Sequence, residues 1–213
     1  MKKHILPLLF IVISIAASIW VYPQLPDQVP THWGPSGEVD DYSSKSSAVW
    51  FSPILMILIY ALLVFMPRID PKRANYQRFS STLTLVNTLL MLIFLGIQGA
   101  VISQWLGYDF NMSLFAPLLV GVLFLVLGNY MPRFQQNYAF GVRTPWTLAN
   151  EEVWRKTHHF AGRAFVICGV LLLLSLLLPS SWHFPALLIL VLGSTLLIIA
   201  SSYYFYKNQG DVH

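Results

Sequence analysis

Long apolar runs separated by short polar segments set the pattern of this chain. Six runs, near 5–22, 49–66, 83–105, 114–131, 164–178 and 184–206, are candidates to cross a bilayer, which takes roughly 20 residues at about 1.5 Å rise per residue. They predict an all-α, polytopic membrane fold, a bundle of about six transmembrane helices. The fifth run is the shortest and can borrow Phe160, Ala161 and Trp182 at its ends. The first follows Met1-Lys2-Lys3-His4 and resembles a secretory signal, but it runs unbroken to Val21 with Trp20 and Tyr22 at its end. Signal cores stop at about 7–15 residues, so a retained helix is expected.

The spans read as three hairpins: 1–66 with the loop 23–47, then 79–131, then 162–206. The first is expected to form one region. The segment 79–206, with its connector 132–163, forms a second, four-helix region. Asn87, Gln98, Gln104 and Asn129 are the amide side chains within the spans. Each is costly in hydrocarbon unless it bonds a neighbouring helix. Gly128 offers a point of close helix approach.

Composition agrees with a lipid solvent. Hydrophobic residues make up 56% of the chain and charged residues 10%, against about 25% charged in a soluble domain. Lys2, Lys3, Arg68, Lys72, Arg73, Arg78, Arg133, Arg143, Arg155, Lys156, Arg163 and Lys207 all fall on one side of the predicted spans, and only Lys45 on the other. Basic residues mark the cytoplasmic side, so both termini are expected in the cytoplasm of a bacterial cell, the protein being in its inner membrane. The net charge of +4 then reports orientation rather than nucleic-acid binding. Asp27, Glu38, Asp40, Asp41 and Asp109 make the opposite, outer face negative. Tryptophan and tyrosine at the helix ends suit the two interfaces. The single cysteine, Cys168, lies within a span and reads as a buried, inert thiol.

Two polar segments carry pattern. In the outer loop, Pro26, Pro30 and Pro35 with Gly34 and Gly37 fix turns and deny helix. Leu25, Val29, Trp33 and Val39 suggest that it folds back on the membrane. His32 with Glu38, Asp40 and Asp41 invites a metal, but one histidine lacks the spacing of a zinc site. Ordered loop structure and peptide contact remain open alongside it. In the inner connector, Gly141 permits an unusual turn and Pro145 extends Thr144. A helix is expected to begin at Thr147 or Asn150. Glu151 and Glu152 occupy its first turn, basic residues follow, and Val153, Trp154, Thr157, Phe160 and Ala161 share a face. Such a helix would lie along the inner leaflet and lead into the fifth span. Arg143 is expected to pair with Glu151, Glu152 or a lipid phosphate.

The segment Gly141-Val142-Arg143-Thr144-Pro145-Trp146-Thr147-Leu148, with Glu151 or Glu152, Val153, Trp154 and Phe160, resembles the signature of the SdpI-type membrane immunity family. Leu25-Pro26, Pro30-Thr31-His32-Trp33, Gly37 and Asp40 resemble the DUF1648 segment that often precedes it. The resemblance covers nearly the whole chain in order and topology. It implies protection against a secreted toxin peptide of the sporulation-delaying type, and retention of a helix-turn-helix repressor at the membrane. By position it places Pro30, His32, Trp33, Gly37 and Asp40 on the face that meets the peptide. It places Gly141, Arg143, Thr144, Pro145, Trp146 and Trp154 where the repressor docks. Lipids are further partners; cofactors, metals and direct nucleic-acid contact are not implied.

Other classes fare less well. His-Glu-x-x-His, Gly-x-Ser-x-Gly and paired intramembrane aspartates, which would support an enzyme, do not occur. The adjacent His158 and His159 do not share a helix face. A small transporter or exporter of a peptide or amphiphile is the alternative. No charge sits mid-span and no nucleotide-binding motif occurs, which disfavours a pump.

Overall fold

The structure, a computed structural model, describes residues 2–108 and 110–208. Asp109, assigned above to the outer face, lies outside the described residues, as do Met1 and 209–213. The helices are α1 (Ile5–Val21), α2 (Lys45–Ile69), α3 (Ser80–Trp105), α4 (Met112–Tyr130), α5 (Pro145–Ala149), α6 (Glu151–Ser175) and α7 (His183–Lys207). Six of them, all but α5, are long and apolar enough to cross a membrane. Their surfaces invert the pattern of a soluble protein: Phe51, Leu177, Ile189 and Leu196 are all exposed, as lipid contact requires. This is an all-α, multi-pass membrane protein with one non-helical element, the strands β1 (Gln28–Trp33) and β2 (Val39–Ser44) between α1 and α2.

Residue contacts divide the chain into two compact units, one of residues 1–65 and 84–115, the other of 66–83 and 116–213. In the first, a buried polar network ties α1 to α3. Ser14 Oγ donates to Gln98 Oε1, and Gln98 Nε2 donates to Ser14 O and Ser18 Oγ. Ser18 Oγ donates in turn to Val49 O of α2. Gln98 therefore makes the interhelical bond expected of it. Below the hairpin, Val21, Leu25, Val29, Val49 and Ile102 form an apolar cluster. The loop is thus held down by Leu25 and Val29, while Trp33 and Val39 are half-buried.

In the second unit, α4 and α6 meet through glycine. A Cβ on Gly128 would stand 2.7 Å from Gly162 O, and one on Gly169 2.7 Å from Gly121 O. Within each helix the two glycines, 121 and 128 on α4 and 162 and 169 on α6, are seven residues apart, two helical turns, so they lie on one stripe. Phe124 and Phe165 stack between them at 4.4 Å. Cys168 is buried, and its Sγ donates to Leu190 O of α7.

Several local expectations need correction. Asn129 bonds its own helix, at Leu125 O, rather than a neighbour. Asn87 is buried with Oδ1 unpartnered among the described residues. The helix capped by Asn150 runs unbroken into the fifth span, as expected, the two forming the single helix α6. Its buried face is Val153, Trp154, Thr157, His158, Ala161 and Gly162. Phe160, expected on that face, is turned about 200° from His158 and stays exposed. Thr147 is not an N-cap; Asn150 is, accepting from the Glu152 and Val153 N–H groups.

Candidate functional site

The two patterned segments build two different kinds of structure. Between α1 and α2 the chain forms an antiparallel hairpin, which the run of prolines had concealed. Gly37 N–H donates to Gly34 O, closing a β-turn with Pro35 at its second position. Gly37 takes φ +85°, and a Cβ there would come 3.2 Å from Ser113 N. Both its backbone angle and its closeness to α4 demand glycine. At the open end, Lys45 Nζ pairs with Asp27 at 3.1 Å and donates to Leu25 O.

One position on each strand of the hairpin is already engaged by a side chain. Pro30 has no N–H, and its carbonyl accepts from Trp105 Nε1 at 2.8 Å. On β2, Tyr42 N–H donates to the Asp41 carboxylate at 2.8 Å. A two-stranded sheet otherwise offers two free edges for pairing. His32 Nδ1 donates to Asp40 Oδ1 at 2.5 Å on the exposed surface. Among the described residues no group of three His, Cys, Asp or Glu side chains could hold a metal.

Trp33 and Gly37 line a cleft of about 520 Å³ together with Ser36, Glu38, Val39, Gln104, Phe110, Asn111 and Met112. Its far wall is formed by Gln104, Phe110, Asn111 and Met112. Tyr108 N–H donates to Ser103 O and Gly107 N–H to Gln104 O, with Gly107 at φ +82°, a Schellman ending. Gln104 Nε2 donates to Phe110 O. Asn111 Oδ1 caps α4, accepting from the Ser113 and Leu114 N–H groups. Of the five residues expected on this side, the structure places Trp33 and Gly37 in the cleft. Pro30 and the His32–Asp40 pair stand outside its lining. Gln104 was legible only as a polar residue near a span end, and Phe110 and Met112 carried no signal of their own.

The connector between α4 and α6 is a folded knot around buried polar groups. Asp70, between α2 and α3, is buried and accepts from Tyr76 OH at 2.6 Å, Tyr138 N–H at 2.8 Å and Lys72 N–H at 2.7 Å. Gln136 Nε2 donates to Thr147 O and Leu148 O, and its Oε1 accepts from Lys72 Nζ. Asn137 Oδ1 accepts from the Ala139 and Phe140 N–H groups. The motif residues continue this knot. Thr144 caps α5 in a capping box with Thr147, with Pro145 at the first position. Thr144 Oγ1 donates to Ser202 Oγ of α7 at 3.1 Å. Trp146 lies against Tyr203, ring centroids 5.1 Å apart.

His158 clasps the tightest turn. Val142 N–H donates to His158 Nε2 at 3.1 Å, and His158 Nδ1 donates to Trp154 O at 2.8 Å. One nitrogen accepting and the other donating define the neutral Nδ1–H tautomer. Trp154 stacks on the imidazole at 4.1 Å and donates from Nε1 to Phe134 O. Gly141, at φ +97°, sits where any Cβ would overlap His158 Nε2. Thus Trp154 and Thr144 are buried, while Gly141, Arg143 and Pro145 are exposed. Arg143 does not pair with Glu151 or Glu152. Its Nη1 donates to Tyr138 O at 2.6 Å, because nearer cations take the carboxylates: Lys72 for Glu151, and Arg155 and Lys156 for Glu152. Asp70, Gln136, Asn137 and His158 were missed as organisers. The one available signal was Asp70 itself, a lone acid among Arg68, Lys72 and Arg73.

Comparison with known proteins places this architecture. Residues 133–203 match the SdpI/YfhL protein family, and residues 9–57 match the domain of unknown function DUF1648. The chain is 32% identical over 208 residues to Immunity protein SdpI of Bacillus subtilis (strain 168), a match covering 98% of each chain. No solved structure matches it. With one relative similar over almost its full length, and the family pattern over the connector and the last two spans, the chain belongs to the SdpI/YfhL protein family.

Proposed function

We propose that this protein is a membrane immunity protein that captures a secreted antimicrobial peptide at its hairpin side. In the same reading, the connector side faces the cytoplasm and holds a helix-turn-helix repressor at the membrane. The observation that carries the immunity reading is the end-to-end similarity to Immunity protein SdpI. Three features of the chain support the division of labour. The distribution of basic residues along the sequence favours hairpin and connector on opposite sides of the bilayer. On the hairpin, backbone groups of Pro30 and Tyr42 are already engaged by side chains, which disfavours strand addition by a peptide at those positions and favours the Trp33 cleft as its recognition surface. Gly141, Arg143 and Pro145 are exposed on a connector that is rigidly tied from within, a suitable platform for a protein partner.

Peptide capture shifts the protein between two packings only by the difference in the peptide's affinity for them. A signal from cleft to connector therefore requires that the peptide bind one packing better. The test is a toxin challenge in a sensitive host expressing this chain, with membrane abundance measured alongside. Wild type should raise survival, and Trp33→Ala should lose most of that protection at equal abundance. Wild type conferring no protection refutes the immunity reading; full protection by Trp33→Ala removes the cleft from it. Sidedness is tested separately by labelling single cysteines at 36 and 146 in a Cys168→Ser background. Labelling of both from the same side overturns the topology.

A further inference from the structure

We propose that the cleft beside Trp33 is a seat for a cation carried on an apolar arm: a Lys or Arg side chain of the bound peptide, or its free amino terminus. The inference deepens the immunity reading and rests on it for the claim that the occupant is a peptide. It is carried by the lining. Trp33, Phe110 and Met112 supply an indole, a phenyl ring and a thioether, and Ser36, Asn111 and Gln104 supply neutral polar groups. Glu38 is the one ionisable side chain among the lining residues, and no ion-pair partner for it occurs among the described residues. Its neighbours are already engaged, Asp40 with His32 and Asp27 with Lys45. Lys45, the one basic residue of the loop, is held at the hairpin base.

The amino end of α4 borders the cleft and would favour an anion, but Asn111 Oδ1 takes up the Ser113 and Leu114 N–H groups. What remains is one carboxylate, that of the exposed Glu38, in a lining that also holds Trp33, Phe110 and Met112. That set binds an ammonium or guanidinium by charge and by the ring faces, and the arm that carries it by apolar contact. An anion would meet the Glu38 carboxylate with no cation among the lining residues to offset it. The volume of about 520 Å³ is that of a small ligand site. It takes a residue or two of a peptide rather than a whole helix.

The full chain is placed in phosphatidylcholine nanodiscs with its tryptophans replaced by 5-fluorotryptophan. The fluorine signal of Trp33 is assigned by its loss in Trp33→Phe. The probe is the peptide Lys-Leu-Phe-Lys amide, with its N-acetyl form, a form carrying norleucine for both lysines, and a form carrying glutamate for both. The lysine peptide should shift the Trp33 signal saturably, the glutamate form should not, and Glu38→Gln should weaken binding about fivefold. Loss of binding in the norleucine form assigns the seat to the side-chain cation; loss in the acetylated form assigns it to the amino terminus. Unchanged remaining fluorine signals in Glu38→Gln establish that the variant is folded. Equal binding by Glu38→Gln, by the glutamate peptide, or by both the acetylated and norleucine forms overturns the proposal. No toxin enters this experiment. A chain that fails to protect cells refutes the immunity reading alone, and a cleft indifferent to charge refutes the cation seat alone.

Discussion

Replacing Gly141 by alanine tests the connector at its tightest point. The residue sits at φ +97°, and the new methyl group would overlap His158 Nε2, the acceptor for Val142 N–H. Two costs follow. Holding an L-residue in left-handed backbone costs about 1–3 kcal/mol. Driving the imidazole away leaves the Val142 donor without its acceptor and the His158 nitrogen without its donor, a further cost of about 1–3 kcal/mol. The two costs separate in a double-mutant cycle, because His158→Ala removes the collision and leaves the backbone strain. Reversible unfolding in mixed micelles by sodium dodecyl sulfate, read by circular dichroism, supplies the four stabilities. Gly141→Ala should destabilise by about 2–6 kcal/mol in the wild-type background. With alanine at 158 it should cost only the backbone part, so the coupling should be about 1–3 kcal/mol. Additivity within about 0.5 kcal/mol would show that Gly141 and His158 do not constrain each other, and the clasp would be refuted.

Other substitutions probe the packing elsewhere. Gly128→Ala pushes a methyl group against the Gly162 carbonyl, backbone that cannot move aside, and should destabilise by about 1–3 kcal/mol in the same unfolding assay. Gly96→Ala meets open space and should be neutral or stabilising by up to about 1 kcal/mol; a cost comparable to that at Gly128 would refute the helix contact as the cause. Gln98→Leu strips α1 of its bonds to α3 and should cost about 0.5–2 kcal/mol, and a stabilised variant would contradict the network. Asp70→Asn keeps the shape but replaces one acceptor oxygen facing Tyr76, Tyr138 and Lys72. Trypsin cleavage after Arg73 or Arg78 in detergent should speed up several-fold, reflecting about 1–3 kcal/mol of local stability lost; an unchanged rate would remove Asp70 as an anchor.

How much of this was legible in the sequence depends on the distance over which each interaction reaches. The spans came from apolar runs, and the structure returns five of them with ends moved by a few residues, because lipid solvation acts on each segment separately; the fifth is the exception, since its helix starts at Glu151 rather than near 164. Asn150 was readable as an N-cap for the same local reason, whereas the short helix that opens at Pro145 was read only as an extended Thr144. The motif pointed to the right connector as well, but to its surface and its scaffold without distinction. Trp154 and Thr144 turned out to be internal, and Arg143 an exposed residue bonded to a carbonyl of its own loop.

Tertiary structure alone decided the rest. The hairpin needs Pro30 opposite Tyr42 and Trp105 on the Pro30 carbonyl, and no local propensity predicts a strand through prolines. The cleft joins a turn at 34–37 to a loop some 70 residues later, and the Asp70 anchor joins residues 68 apart. Burial makes such contacts specific, since a polar group taken out of water must find its partner wherever the chain has carried it. The sequence by itself determined which segments enter lipid and that Asn150 caps one of them; folding determined which polar groups meet, and with them the shape of any site the protein offers.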